Sequence, residues 1–137
     1  MKKIKMKIFI GQAVSGENIE TLKKECSMIQ STLEGVGNKT YCTINPKDNI
    51  DERTAKDWLV HAFEEIDEHD TFLAIIRSEK KSEGMLMEIG YALSKNKKLI
   101  VAIKKDVRNK TYVDELADEV IEFDNIEDLC KKLEKLK

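Results

Sequence analysis

Two short, mostly apolar runs do most to restrict the fold: Thr71–Ile76 and Leu99–Ile103. A strand with one wet face alternates apolar and polar side chains. A strand apolar throughout needs cover on both faces, which is the setting of a central parallel strand. The flanking segments alternate between the two regular periods. Ile4, Met6, Ile8 and Ile10 recur at a spacing of two and predict a strand over Ile4–Ile10 that stops at Gly11. Ile19, Leu22, Cys26, Ile29 and Leu33 form one stripe of a helix over Glu17–Leu33, ended by Gly35 and Gly37. Lys39–Ile44 reads as a short strand running into an Asn45-Pro46 turn. A helix over Asp51–Glu68 turns Trp58, Leu59, Ala62, Phe63 and Ile66 inward. After Thr71–Ile76 come a helix over Ser82–Lys95, the strand Leu99–Ile103, a strand over Val120–Phe123 and a helix over Ile126–Leu136.

This alternation specifies an α/β sandwich of three layers, with a five-stranded parallel sheet covered on both faces and wound in the order 2-1-3-4-5. With 137 residues the chain makes a single domain over 1–137. Ligands of such sheets sit at the carboxyl ends of the strands, near the point where the strand order reverses. That rule selects Gly11–Glu17, Asn45–Asp51 and Arg77–Gly84 before any motif is consulted.

Charge narrows the partners. Lys and Arg number 24 against 26 Asp and Glu, so the net charge of -2 does not suit a nucleic acid polymer. No apolar run approaches the roughly 18 residues of a membrane span. Cys26, Cys42 and Cys130 are widely spaced with no CxxC, so the expectation is reduced thiols in a cytoplasmic protein, with neither a zinc site nor a disulfide framework. The basic and then apolar start MKKIKMKIFI reads as a first strand, its apolar part being too short for a signal peptide. His61 and His69 stand beside acids without ligand-like spacing and read as a solvated helix face, and Met85 with Met87 reads as core.

Chemistry concentrates at Glu88, set within Met85-Leu86-Met87-Glu88-Ile89-Gly90-Tyr91-Ala92-Leu93. A carboxylate in an apolar wall is raised in free energy when ionised, which makes it a better base or nucleophile. On a helix, Gly84 lies one turn earlier on the same face and leaves room above the carboxylate, while Tyr91 flanks it. Ser82 and the first-turn amides would favour an anion such as phosphate. On spacing alone, an exposed position of an amphipathic helix explains Glu88 equally well. The loop Gly11-Gln12-Ala13-Val14-Ser15-Gly16 lets backbone approach a ligand, although it is neither GxGxxG nor a phosphate loop, and an ordinary strand-to-helix turn also accounts for it.

Ser82-Glu83-Gly84-Met85-Leu86-Met87-Glu88-Ile89-Gly90-Tyr91-Ala92 reads S-x-G-x-x-x-E-x-G-x-A, after a strand opening at Asp70. With Phe9-Ile10-Gly11 on the first strand, it resembles the nucleoside 2-deoxyribosyltransferase superfamily, which includes the 2'-deoxynucleoside 5'-monophosphate N-glycosidases. The resemblance runs from the first strand to the fourth. It implies a flavodoxin/Rossmann-like fold and cleavage of the N-glycosidic bond of a (deoxy)nucleoside 5'-monophosphate, with Glu88 as nucleophile. It implies substrate contacts from Gly11, Gln12, Ser15, Gly16, Ser82 and Gly84, a small-molecule nucleotide or nucleoside as partner, a homodimer, and neither cofactor nor metal. Ser82 matches the position that is serine in the monophosphate hydrolases and acidic in the free-nucleoside transferases, which favours a 5'-phosphate.

Three positions depart from the pattern. Phe9 stands where the family has tyrosine, Ala62 where it has a helix aspartate, and Val14 where the hydrolases have arginine, whose charge Arg77, Lys80 or Lys81 would have to replace. TIR-type NAD glycohydrolases share the serine-to-glutamate spacing but not their tryptophan-cysteine pair. A nucleotide-binding module without catalysis is the remaining alternative.

Overall fold

The computed structural model describes residues 3–13, 18–43 and 54–136. Strands β1 (Lys7–Gln12), β2 (Lys39–Cys42), β3 (Thr71–Ile76), β4 (Lys98–Lys104) and β5 (Glu119–Phe123) form one parallel sheet in the order β2-β1-β3-β4-β5. Helices α1 (Ile19–Gly35), α2 (Ala55–Asp67), α3 (Glu83–Ser94) and α4 (Ile126–Leu133) complete the layers. Two 3-10 turns, Lys105–Val107 and Val113–Leu116, join β4 to β5. The architecture is the one the apolar runs imply. Among the described residues no helix is long and apolar enough to cross a membrane.

Side-chain alternation along the strands divides the core in two. Ile8, Ile10, Leu73, Ile75, Ile100 and Ala102 face α1 and α4. Phe9, Phe72, Ala74, Leu99, Val101 and Ile103 face α2 and α3. All six side chains of β3 are buried, as its mostly apolar run requires.

The helices start where side chains supply the missing acceptors. Asn18, Thr54, Ser82 and Asn125 each accept a hydrogen bond from the backbone N–H three residues on. Thr54 and Asp57 cap each other reciprocally. Gly37, at φ +100°, turns the chain after α1 in a conformation that a side chain would strain.

Several boundaries and environments differ from the sequence reading. β1 begins at Lys7, where Asp70 accepts from the Lys7 N–H, and continues through Gly11 to Gln12. Ile4 precedes the ladder and is exposed. β3 opens at Thr71 rather than Asp70, whose carboxylate accepts the Thr71 hydroxyl at 2.7 Å. Ile44, the Asn45-Pro46 turn and Asp51 lie outside the described residues.

His69 is buried, against the expectation of a solvated histidine. Its ring packs near Phe9 and Tyr41 because it follows α2 at the point where the chain turns under the sheet. The Tyr41 hydroxyl and His61 Nε2 share a hydrogen bond at 3.0 Å. The expectation for the thiols also needs correction: Cys26 and Cys42 are paired as a disulfide, with Cα atoms 6.8 Å apart. Their wide sequence spacing hides the pair, since the fold sets the inner face of α1 against the end of β2. Met85 is core, but Met87 is 49% exposed because it lies on the outer side of α3.

Gly11 is the most tightly enclosed of the described glycines. A Cβ there would stand 2.5 Å from Phe72 Cζ and 2.8 Å from Cε1. Gly11→Ala is therefore expected to lower stability by about 1–3 kcal/mol through overpacking. Adding Phe72→Leu should recover part of that loss. Urea denaturation midpoints of the two variants and the wild type check this, and an unshifted midpoint for Gly11→Ala would contradict it.

Candidate active site

Helix α3 leaves the carboxyl end of β3 through the segment Arg77–Ser82 and begins at its cap, Ser82. Ser82 Oγ accepts the Met85 N–H at 3.2 Å. Met85, Ile89 and Ala92 form the buried stripe of the helix. Glu88 stands beside that stripe, half-buried, one turn after Gly84 and one turn before Tyr91. A Cβ at Gly84 would meet nothing within 4 Å, so the first turn of α3 is open above the glutamate. Tyr91 closes the next turn. Its ring stacks on Phe63 of α2 with centroids 4.1 Å apart, and its hydroxyl donates to Asp67 at 2.8 Å.

Burial pushes the Glu88 carboxyl from 4.5 up to about 7. Desolvation is the whole cause, because no described residue supplies a cation or a hydrogen-bond donor to the carboxylate. An unpaired acid held near neutrality passes between its two forms at physiological pH, which suits a nucleophile or a proton carrier.

The strand order reverses between β1 and β3. At the carboxyl edge there, Ala13, Ile76, Arg77, Ser78 and Met85 line a cavity of about 10 Å³, close to the room one water takes. Met85 connects this edge to α3, and Glu88 lies one turn further along.

Of the residues that the sequence brings forward, Glu88, Ser82 and Gly84 share the first two turns of α3. Gly11 is at the correct edge, but the space on its Cα is taken by the Phe72 ring. Only its backbone is left to meet a ligand. Gln12 sends its side chain to the other face of the sheet, where Nε2 donates to Cys42 Sγ at 3.3 Å. Its Oε1 is buried and has no partner among the described residues. The reason is parity: residue 12 falls on the same side of the strand as Ile8 and Ile10. Ser15, Gly16 and Val14 lie outside the described residues.

Arg77 is held at the α1 side by Glu25, with Nε 2.8 Å from Oε1. Phe9 is fully buried, stacked on Tyr41 at 5.6 Å, and Ala62 is buried on the inner face of α2. Two of the three positions that depart from the resemblance, Phe9 and Ala62, are therefore packing positions. Phe63, which the sequence places only on the apolar stripe of α2, adjoins the site through its stack on Tyr91. Among the described residues no group of three or more His, Cys, Asp and Glu side chains is placed to hold a metal ion.

No family model matches the sequence, and no curated protein matches it. Solved structures do share its fold. The CMP N-glycosidase BcmB of Clostridium botulinum superposes with a TM-score of 0.71 at 19% identity, over 96% of this chain and 99% of that one. A conserved protein from Enterococcus faecalis V583 gives 0.65 at 16% identity, over 94% and 97%. A 2-deoxyribosyltransferase from Bacillus psychrosaccharolyticus gives 0.59 at 19% identity, over 93% and 95%. By their names, two of the three are an N-glycosidase and a deoxyribosyltransferase.

The raised pKa has a consequence for stability with a definite sign. Between pH 4.5 and about 7 the folded protein holds a proton on Glu88 that the unfolded chain has released. Stability contributed by this group therefore falls as pH rises through that window and is level above it. Glu88→Gln should remove this fall and be the more stable protein above pH 7. Melting temperatures of the two proteins from pH 4 to 8 test this, and parallel curves would refute it.

Proposed function

We propose that this protein cleaves the N-glycosidic bond of a (deoxy)nucleoside 5'-monophosphate, with Glu88 as the nucleophile. The observation that carries the reading is Glu88 itself: a carboxylate without a partner among the described residues, beside the buried stripe of α3, shifted to about 7, below an open turn made by Gly84. The shared fold with a CMP N-glycosidase and a 2-deoxyribosyltransferase supports it.

In this reading the ionised Glu88 oxygen attacks C1' of the sugar. The C1'–N bond breaks, its electron pair stays on the base nitrogen, and the base takes up a proton. Water then attacks C1' of the glycosyl ester, releasing the sugar phosphate, the Glu88 carboxylate and a proton, as in retaining glycoside hydrolysis. Transfer replaces that water with a second base. The Ser82 turn faces the phosphate, for which its free hydroxyl hydrogen and the first amides of α3 are donors. A carboxylate at position 82 would repel the phosphate. Alanine at position 62 leaves the departing base without the helix aspartate of the family, so turnover is slow and favours bases that leave easily.

The same reading includes a homodimer. Val60 of α2 and Leu86 and Met87 of α3 are 43%, 36% and 49% exposed, more apolar surface than packing on one sheet requires. A second copy across a two-fold axis would cover it. Light scattering at micromolar concentration should give twice the chain mass, and a monomer would count against the assembly.

The deciding experiment follows free base released from deoxynucleoside 5'-monophosphates, with NAD in parallel. Glu88→Ala should reduce release by about three orders of magnitude or more, since no ester forms, while nucleotide binding stays close to wild type. The rate of the wild type should rise with pH to a plateau above about 7, as the carboxyl ionises. Full activity in Glu88→Ala would remove this residue from the mechanism. Release from NAD alone would favour the TIR-type alternative, and no release from any substrate would leave a binding module.

A further inference from the structure

On the opposite face from Glu88, the carboxyl ends of β3, β4 and β5 meet α1 and α4 around a cleft of about 380 Å³. Ligand pockets run from about 300 to 1,000 Å³. Its floor is apolar, made by Ile75, Phe123 and Leu129, with Ile126 beside them. Two cations line it. Lys104 ends β4 and has no hydrogen-bond or ion-pair partner among the described residues. Arg77 is fixed through Nε by Glu25, and Nη2 is buried with no acceptor. A guanidinium offers five N–H donors in a rigid fork, and Glu25 takes only the one on Nε. Leaving Nη2 unmet in a buried place carries a desolvation cost that an anionic group reaching it would relieve. Glu25 spends its charge on Arg77, and Asp124, the other carboxylate at the cleft, is exposed.

We infer that this cleft binds a small organic anion: a compact apolar body seated on Ile75, Phe123 and Leu129, and a phosphate or carboxylate held by Arg77 and Lys104. The site is separate from Glu88, since it lies on the α1–α4 side of the sheet. Arg77 also lines the small cavity beside Met85, so an occupied cleft adjoins the segment that leads into α3.

Phenyl phosphate and benzoate are suitable probes, titrated separately into the full-length protein labelled with ¹⁵N and followed by amide chemical shifts. The expected result for at least one of them is saturable movement of the amides of Ile75, Arg77, Lys104, Phe123 and Ile126. Lys104→Ala should weaken that binding at least about fivefold, in line with the loss of one charge-assisted contact. Ile126→Trp, which fills the cleft, should abolish it. Should Ile126→Trp fail to fold, Lys104→Ala at the end of β4 still decides the question. The inference is overturned if neither probe gives saturable shifts, if the shifts centre on Ser82 and Glu88 instead, or if Lys104→Ala binds as the wild type does.

Discussion

A parallel strand with neighbours on both sides has no access to water for its backbone groups, and Thr71–Ile76 is in that position with every side chain buried as well. Its ladder to β1 on one side and β4 on the other satisfies the backbone, and its alternating side chains join both halves of the core. The carboxyl end of this strand leads directly to the candidate site. Arg77 follows directly, then the segment leading to Ser82 and the first turn of α3. A carboxylate can be held in an apolar setting only where the surrounding backbone does not relax to solvate it. The buried strand provides that condition for Glu88.

The two faces of the sheet serve different ends. The α2–α3 side holds the titrating glutamate, the Phe63–Tyr91 stack and the crowded contact between Gly11 and Phe72. The α1–α4 side holds the Cys26–Cys42 pair, the Gln12 amide and the Glu25–Arg77 bridge. Gly11 and Gln12 are adjacent in sequence yet belong to different faces, so a loop read as one unit contributes to two environments.

Much of this was legible in the sequence because it rests on short-range regularities. The mostly apolar runs marked β3 and β4, and the stripe of α1 from Leu22 to Leu33 is buried as its spacing implies. Glu88 stood out because a charge interrupts an otherwise apolar helix. Less legible was whatever depends on residues meeting from distant parts of the chain. Neither Cys26 nor Cys42 signals the other. His69 looked solvated from its acidic neighbours, although the aromatic rings of β1 and β2 cover it. Gln12 shares its parity with Ile8 and Ile10, a signal present in the sequence, and β1 continues past Gly11 to include it.

Under the proposed function, Ser82 would serve folding and recognition through one atom. A hydroxyl has two acceptor lone pairs and one donor hydrogen. One lone pair is engaged by the Met85 N–H, and the hydrogen stays available for an anion. Aspartate would cap α3 as well as serine does, and would suit the positive end of the helix. Its two oxygens, however, would offer a phosphate no donor, only like charge. The choice between these residues is therefore almost invisible to the stability of the helix. In the proposed reading, exchange at this position would alter the preference for a phosphate while leaving the cap of α3 in place.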